Sequence, residues 1–181
     1  HRQILFTQSN IGQPKVWAAQ ERLQERNSDC KVVAFEEKID ASNFERFTQG
    51  LDLLVDVSDN ASSRLTISKL ALDHSLDLIS GAVSAYTALI AIFSYHDPNF
   101  VKKHGCYRCL TNGFPINTKV GITGPIAQNA AAMTAHVALE YLLGNKDHVG
   151  KLIKMDLKNI AISKLTLCAD PQCPDCSNYR L

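Results

Sequence analysis

Two pairs of cysteines constrain this chain more than any other feature of its sequence. Within each pair two residues separate the thiols: Cys106 and Cys109 in CYRC, and Cys173 and Cys176 in CPDC. Four thiolates with this spacing are typical of a tetrahedral Cys₄ zinc site, which would pin the tail of the chain to its middle. A redox-active pair or unconnected thiols are the alternatives. Because two such motifs occur in one chain, we predict zinc.

The composition limits the class of protein. With 181 residues the chain is long enough for a sizeable core, and we predict one domain over residues 1–181. Its Lys and Arg residues are scattered and the formal net charge is +1, so we expect no nucleic-acid partner. The longest apolar stretch, residues 78–93, contains polar residues and is too short to span a membrane. No signal peptide is recognisable, and we expect a cytoplasmic protein.

Hydrophobic periodicity and turn residues predict alternating helices and strands. We expect a short helix ending at Gly50 and longer helices over residues 14–27, 60–74 and 125–144. Predicted strands cover residues 30–35, 51–58, 77–83, 86–95, 151–157 and 159–167. The apolar run 51–58 is typical of a buried parallel strand, and residues 100–124 of a long irregular region. This order indicates an α/β protein whose sheet has a mixed extension.

Polar residues stand at the ends of two of these elements. Asp59 and Asn60 follow the predicted strand 51–58, and open α/β sheets bind ligands beyond the carboxyl ends of their strands. The alternative for either residue is simple capping of the next helix. Lys15 stands in the first turn of its helix, where the helix dipole disfavours a cation, so it needs either solvent or an anion. Arg2 and Gln3 lie just ahead of the same segment.

The order of several segments resembles that of the MoeB/ThiF (HesA) family, the bacterial relatives of ubiquitin-activating enzymes. The segments are HRQILFTQSNIGQPK, LLVDVSDNASSR, LISGAV, GCYRCL, GITGPI and CPDC, and together they extend over essentially the whole chain. The resemblance implies a Rossmann-like mixed sheet with flanking helices, a homodimer and a Cys₄ zinc. It also implies adenylation, with ATP and Mg²⁺, of the C-terminal glycine of a ubiquitin-like sulfur-carrier protein of the molybdopterin or thiamine type.

The same resemblance implies roles for individual residues. Arg2 and Lys15 match residues that contact the ATP phosphates, and Asp59 matches an aspartate implicated in Mg²⁺ binding and adenylation. Gln3 and Asn60 lie beside them at the nucleotide, and the four paired cysteines match the zinc ligands. A C-terminal carboxylate has a pKa of about 3.5 and is already an anion at neutral pH. Its attack on phosphate therefore needs positioning and charge neutralisation rather than a general base.

Two departures from the family pattern limit these expectations. The family's Gly-rich loop and its ribose-binding acidic residue lie upstream of the segment matched by His1. We therefore expect the C-terminal part of an adenylation domain, without its N-terminal Gly-rich βαβ unit. Many relatives also carry a cysteine in the crossover loop, near Asn117 of this chain, which has none there, so we expect no thioester or persulfide step. The alternative functions are a catalytically incomplete scaffold and, more distantly, thiol redox chemistry.

The helix predicted over residues 125–144 is apolar most of the way round its axis. Its apolar residues include Ile126, Ala130, Met133, Val137, Leu139, Tyr141 and Leu142. We predict that it helps to form a homodimer. The alternative is burial between the sheet and other elements of the same subunit.

Overall fold

The computed structural model describes residues 2–112 and 121–180. Within them lies one five-stranded sheet of order β1-β2-β3-β4-β5. Its strands are β1 Leu54–Asp56, β2 Leu78–Ser84, β3 Thr87–Phe93, β4 Lys151–Asp156 and β5 Ala161–Thr166. The flanking helices are α1 Lys15–Arg26, α2 Phe44–Thr48, α3 Ala61–Asp73, α4 Pro98–His104, α5 Tyr107–Thr111 and α6 Gly124–Leu142, with 3₁₀ turns at Gln8–Asn10 and Ser177–Arg180. Strands β1 and β2 are parallel and the other neighbours antiparallel, so the sheet is mixed, as predicted.

The sheet separates two hydrophobic layers. On one face, α3, α4, α5 and the cysteine pairs pack over Leu78 and Phe93. On the other face, α6 buries Ile126 and Val137 against Ile79 and its neighbours. Successive side chains of a strand point to opposite faces, so β2 and β3 contribute to both layers. Burial of each large aliphatic side chain stabilises the fold by about 1.5–3 kcal/mol.

Helix α3 begins at the carboxyl end of β1. The Oδ1 atom of Asn60 accepts a hydrogen bond from Ser63 N at 2.8 Å and so caps the helix. The turn ahead of this cap is held by Asp56, whose Oδ1 accepts a hydrogen bond from Ser58 N at 2.9 Å. Asp59 therefore stands between strand and helix, at the edge of the sheet where open α/β proteins bind ligands.

One predicted strand is wrong. Residues 30–35 form no strand, because no strand pairs with them in the part of the chain that the structure describes. This segment is held to α1 instead: Gln20 Nε2 donates to Val32 O at 2.7 Å, and Trp17 Nε1 donates to Glu36 Oε2 at 2.9 Å.

Two further predictions need correction. The strand predicted over residues 51–58 is only Leu54–Asp56, because the turn at Asp56 ends it, and its Val55 is exposed rather than buried. The region 100–124, predicted to be irregular, contains most of α4 and all of α5. Residues 113–120, with Asn117, lie outside the described residues. Among the described helices none has the length and apolar character needed to cross a membrane.

Candidate functional site

The four cysteines of the C-x-x-C pairs converge from distant parts of the chain. Their sulfur atoms all lie within 4.8 Å of one another. Cys106 Sγ is 3.6 Å from Cys173 Sγ, and Cys109 Sγ is 3.5 Å from Cys176 Sγ. Thiolates bound to zinc at about 2.3 Å in a tetrahedron are separated by about 3.8 Å. The cluster fits such an ion, and the prediction that both pairs meet in one cluster able to hold a metal is confirmed.

The backbone around the cluster is adapted to bring the sulfurs together. Gly105 has φ +72, and a Cβ at this position would lie 2.6 Å from Cys109 Sγ and 2.9 Å from Ala169 Cα. Only glycine meets both the conformation and the close approach. Asp170 N donates to Cys109 Sγ at 3.3 Å, a contact that stabilises a thiolate and orients it as a ligand.

The electrostatics of the cluster favour a bound cation. Hydrogen bonding to Cys109 raises the pKa of the Cys106 thiol, and burial adds to the effect. The same contact lowers the pKa of Cys109, while burial raises the pKa of Cys176 to about 12. Four adjacent thiols in a buried site cannot all ionise alone, because thiolates repel one another and lose hydration. A central metal ion removes that conflict.

An ion pair joins the two C-x-x-C motifs. Arg108 and Asp175 each occupy the third position of their motif, and Arg108 Nε donates to Asp175 Oδ2 at 2.6 Å. This hydrogen bond raises the pKa of the Arg108 guanidinium. This pair was not among the predictions made from the sequence. Opposite charges at equivalent positions of two motifs were the sequence feature that could have predicted it.

The residues at the carboxyl end of β1 are more exposed than the cysteine cluster and have fewer side-chain partners. Asp59 is exposed and makes no hydrogen bond or ion pair with any of the described residues. The helix cap is Asn60, so the capping alternative applies to Asn60 and not to Asp59. A solvent-exposed carboxylate at this edge is available to an incoming ligand.

The remaining predicted residues form a second group near the start of the chain. Lys15 Nζ donates to Gln3 Oε1 at 3.0 Å and lies 5.8 Å from the centre of the Phe6 ring. The carbonyl of Arg2 accepts a hydrogen bond from Gln128 Nε2 of α6 at 2.7 Å. Among the described residues, no ion pair neutralises Lys15 or Arg2, and none joins either cation to Asp59. Within the described chain, Lys15 and Gln3 are joined by a hydrogen bond, whereas Asp59 is joined to neither cation by an ion pair.

Two residues that support this edge were missed in the sequence. Arg64 Nε donates to the carbonyl of Ser58 at 2.8 Å, which fastens the turn before Asp59 to the second turn of α3. Asp56 is buried, and within the described chain its Oδ2 has no hydrogen-bond partner. A carboxylate near the end of the apolar run 51–58 and an arginine one helical turn after the cap were the available clues.

An open cleft runs along α3, from the residues after its cap to Arg108 of the first cysteine motif. It has a volume of about 630 Å³ and follows the exposed side of α3. Asn60 and Ala61 line one end, and Lys69 and Arg108 line the other. The start of α3 and Arg108, which lies between the first two cysteines, therefore border the same surface depression.

The chain belongs to the ThiF family, because the sequence model of that family matches residues 1–177. It is 32% identical over 186 residues to the sulfur carrier protein adenylyltransferase of Thermus thermophilus, an alignment that covers 98% of this chain and 68% of that protein. It is 26% identical over 180 residues to the molybdopterin-synthase adenylyltransferase of Escherichia coli, covering 97% of this chain and 70% of the relative. The family membership predicted from the sequence motifs is confirmed.

Solved structures agree on the fold. The E. coli MccB structure with ATP superposes with a TM-score of 0.77 at 19% identity, covering 97% of this chain and 54% of that one. At this identity the likeness shows the fold alone, and it confirms the predicted α/β architecture. The chain spans about two thirds of the length of the two curated relatives and about half of the MccB chain.

Proposed function

We propose that this protein adenylates the C-terminal glycine of a ubiquitin-like sulfur-carrier protein, using ATP and Mg²⁺. The observation that supports this most directly is the exposed Asp59 carboxylate at the carboxyl edge of β1, next to a capped helix. Family membership and the names of two relatives as adenylyltransferases point the same way. Residues 1–181 would then form a single adenylation domain.

The proposed reaction needs little acid–base chemistry. The carrier's terminal carboxylate attacks the α-phosphorus of ATP, a new carboxyl O–P bond forms, the α–β phosphoanhydride bond breaks, and pyrophosphate leaves. The chain's task is to orient the two reactants and to neutralise negative charge on the phosphate oxygens. Arg2 and Lys15, which have no anionic partner among the described residues, are suited to contact those oxygens.

Asp59 would hold the magnesium ion, which prefers carboxylate oxygen and neutralises phosphate charge. Asn60 fixes the start of α3 beside it, and Gln3 fixes the Lys15 ammonium group. These roles for Gln3 and Asn60 are positional. The Gln3 amide oxygen accepts from the charged Lys15 ammonium group, and the Asn60 amide oxygen accepts from the backbone N–H of Ser63.

We propose zinc as the metal of the cysteine cluster. All four thiols would then be ligands, so none of them would act as a nucleophile or a redox pair. The ion would close a long loop between the middle of the chain and its tail. The reducing conditions that keep such thiols free accord with the predicted cytoplasmic location.

Exchange of labelled pyrophosphate into ATP tests the proposed function. In the full-length protein we expect exchange that depends on Mg²⁺ and on a ubiquitin-like carrier ending in glycine. A carrier truncated by its last residue is the control and should support no exchange. Absence of exchange with every ubiquitin-like carrier tried would overturn adenylation and favour the scaffold alternative.

We also propose a homodimer that uses the outer face of α6. Ile126, Val137 and Tyr141 are buried within the subunit, whereas Leu139 and Leu142 are 60% and 54% exposed. The helix therefore has apolar residues on both sides. Burying the outer leucines against a second copy would remove this exposed apolar surface.

Light scattering at micromolar concentration measures this state. We expect a dimer for the full-length protein and a monomer for Leu139→Glu, because a buried unpaired charge opposes association. Ile162→Glu, at a residue 59% exposed on β5, is the matched control and should remain dimeric. A monomeric unmutated protein would contradict the proposal.

A further inference from the structure

A buried tyrosine hydroxyl connects α3 to the segment that carries the first cysteine pair. Tyr95 follows β3 and is 3% exposed. Its hydroxyl oxygen accepts a hydrogen bond from Tyr107 N at 3.1 Å and lies 2.7 Å from Ser68 Oγ. Tyr107 directly follows Cys106, and Ser68 lies in the middle of α3. The Tyr95 hydroxyl oxygen therefore links α3, the helix capped by Asn60, to the backbone next to Cys106.

Each group in this contact needs its partner. Tyr107 is the first residue of α5, so its N–H has no acceptor within that helix. Ser68 is buried and points its hydroxyl at Tyr95 instead of solvent. Because Tyr107 N can only donate, the Tyr95 oxygen accepts there and its proton is free to bond Ser68. Removing this hydroxyl would leave two buried polar groups unsatisfied.

The position of the tyrosine ring does not depend on its hydroxyl. The Phe93 ring stacks on Tyr95 at 5.5 Å between centroids and meets the Tyr107 ring edge-on at 6.3 Å. Aromatic packing thus holds the ring, while the hydroxyl adds two directional bonds. Apolar packing is non-directional and permits small sliding of α3, whereas hydrogen bonds fix its register.

The position of α3 along its axis determines where the turn before its first residue lies. Ser68 is eight residues after Asn60, which corresponds to about 12 Å along the helix axis. The cap at Asn60 and the Arg64 bond to Ser58 O make the turn containing Asp59 move with the helix. A shift of α3 would therefore displace the Asp59 carboxylate relative to β1.

We propose that Tyr95 is a positioning residue whose hydroxyl holds α3, and with it Asp59, in register with the metal-binding segment at Cys106. The part of this inference that concerns catalysis rests on the proposed adenylation. The part that concerns the metal rests on the Ser68–Tyr95–Tyr107 contact and on the proposed zinc. Within the described chain Ser68 makes no hydrogen bond to a cysteine of the cluster, so the Tyr95 hydroxyl is the polar contact through which Ser68 reaches the segment at Cys106.

The test uses the full-length, zinc-loaded protein with the substitutions Tyr95→Phe and Ser68→Ala. Release of zinc to a coloured chelator should be about tenfold faster in each, and the double variant should be no faster than the single ones. In carrier-dependent pyrophosphate exchange, Tyr95→Phe should lower kcat about tenfold with a smaller change in KM for ATP, because charge positioning rather than nucleotide contact is disturbed.

Tyr179→Phe is the matched control. It removes a tyrosine hydroxyl that bonds the other end of α3, at Asp73 Oδ1 with a distance of 3.0 Å, but in a solvent-exposed setting. It should alter neither zinc release nor exchange. Equal behaviour of Tyr95→Phe and Tyr179→Phe would overturn the inference, as would effects of Tyr95→Phe and Ser68→Ala that add independently.

The two proposals fail in different ways. If the unmutated protein shows no pyrophosphate exchange, the adenylation proposal is overturned, and the link between α3 and the metal is decided by zinc release alone. If exchange occurs but Ser68→Ala leaves zinc release unchanged, adenylation stands and the positioning role of Tyr95 is overturned.

Discussion

The cysteine cluster and the edge that holds Asp59 differ in how they are built, although Arg108 of the first cysteine motif and Asn60 beside Asp59 line the same cleft along α3. Three of the four thiols are buried, a backbone N–H supports the fourth, and an ion pair joins the two motifs. Asp59, Arg2 and Lys15 are exposed, and among the described residues none of them belongs to an ion pair. The first region is complete in its protein contacts, whereas the second is open.

A structural metal site and a site for a charged substrate need different surroundings. A structural metal site needs its ligands, their hydrogen-bonded surroundings and a closed coordination shell, all of which the chain itself can supply. A site for a highly charged substrate needs cations and a carboxylate that remain unpaired until the substrate binds. The geometry around the cysteines can therefore be judged from protein atoms, and the geometry around Asp59 requires measurements with ligands.

The largest effect should follow from removing one thiol of the cluster. We expect Cys173→Ser to lose the bound zinc and to release the tail, because structural zinc contributes on the order of 10 kcal/mol of binding free energy at neutral pH. Metal analysis should give one zinc per chain for the unmutated protein and none for the variant. Limited proteolysis should then cut the variant within residues 168–180.

Cys168→Ser is the matched control for this experiment. Cys168 is exposed and lies five positions before Cys173, outside the cluster. Its substitution should leave zinc content and proteolysis unchanged. A zinc-free unmutated protein with four freely titratable thiols would contradict the metal assignment.

The next largest effect concerns Asp59. We expect Asp59→Asn to lower carrier-dependent pyrophosphate exchange at least a hundredfold, about 3–4 kcal/mol, because the amide cannot replace the charge that would hold Mg²⁺. The fold should be unchanged, since Asn60 rather than Asp59 caps α3. Initial rates measured over a range of Mg²⁺ concentrations provide the test.

Asp52→Asn controls for the loss of one negative charge. Asp52 is an exposed carboxylate ahead of β1, and its substitution should leave exchange at the parent rate. An Asp59→Asn protein as active as its parent would show that the carboxylate plays no part in the reaction.

Local physics explains why most helices could be predicted from the sequence. The observed α1 and α3 begin and end within one residue of their predicted bounds, because Pro14, Asn27, Asn60 and His74 flank apolar periodic segments. Strands depend on neighbours that sequence patterns do not reveal. Residues 30–35 have a strand-like composition but no partner strand among the described residues, and Val32 is hydrogen-bonded to Gln20 of α1 instead.

In the candidate site, too, only features that form a local sequence motif could be predicted from the sequence. Cysteine spacing predicted the cluster because the ligand residues themselves form the motif. The roles of Arg2, Lys15 and Asp59 came from family resemblance, since exposed charges have no pattern of their own. The Arg108–Asp175 pair could have been predicted once the two motifs were expected to meet, because its charges occupy equivalent motif positions. The contact between Ser68 and Tyr95 follows from tertiary packing and has no spacing pattern that could reveal it.

A smaller effect should follow from Lys15→Ala. We expect KM for ATP to rise about tenfold, with a smaller decrease in kcat, because one cation at the phosphates contributes about 1–2 kcal/mol in both the bound and the reacting state. Exchange rates at varied ATP concentration separate the two parameters. Lys158→Ala, in the exposed turn between β4 and β5, is the control and should change neither. Equal KM values for both variants would exclude Lys15 from the nucleotide site.

The smallest effect concerns the ion pair between Arg108 and Asp175. It tests whether the charge of the metal-bound cysteine cluster influences this pair. The Arg108 and Asp175 side chains are 34% and 14% exposed, so their ion pair should contribute only about 1 kcal/mol. The two substitutions should nevertheless be unequal. A zinc ion with four thiolates has a net negative charge, so Arg108→Gln leaves the largely buried Asp175 carboxylate unpaired beside an anionic cluster. Asp175→Asn instead leaves Arg108 next to that cluster, which still attracts it.

Denaturant unfolding of the zinc-loaded variants measures this asymmetry. We expect Arg108→Gln to lower the free energy of unfolding more than Asp175→Asn does. The double variant should lose less than the sum of the two single losses, because removing the carboxylate removes the repulsion that makes the loss of Arg108 costly. Equal and additive losses would mean that the pair acts without influence from the cluster. The contrast with the exposed residues around Asp59 would then rest on burial and metal binding, without an electrostatic contribution from the cluster.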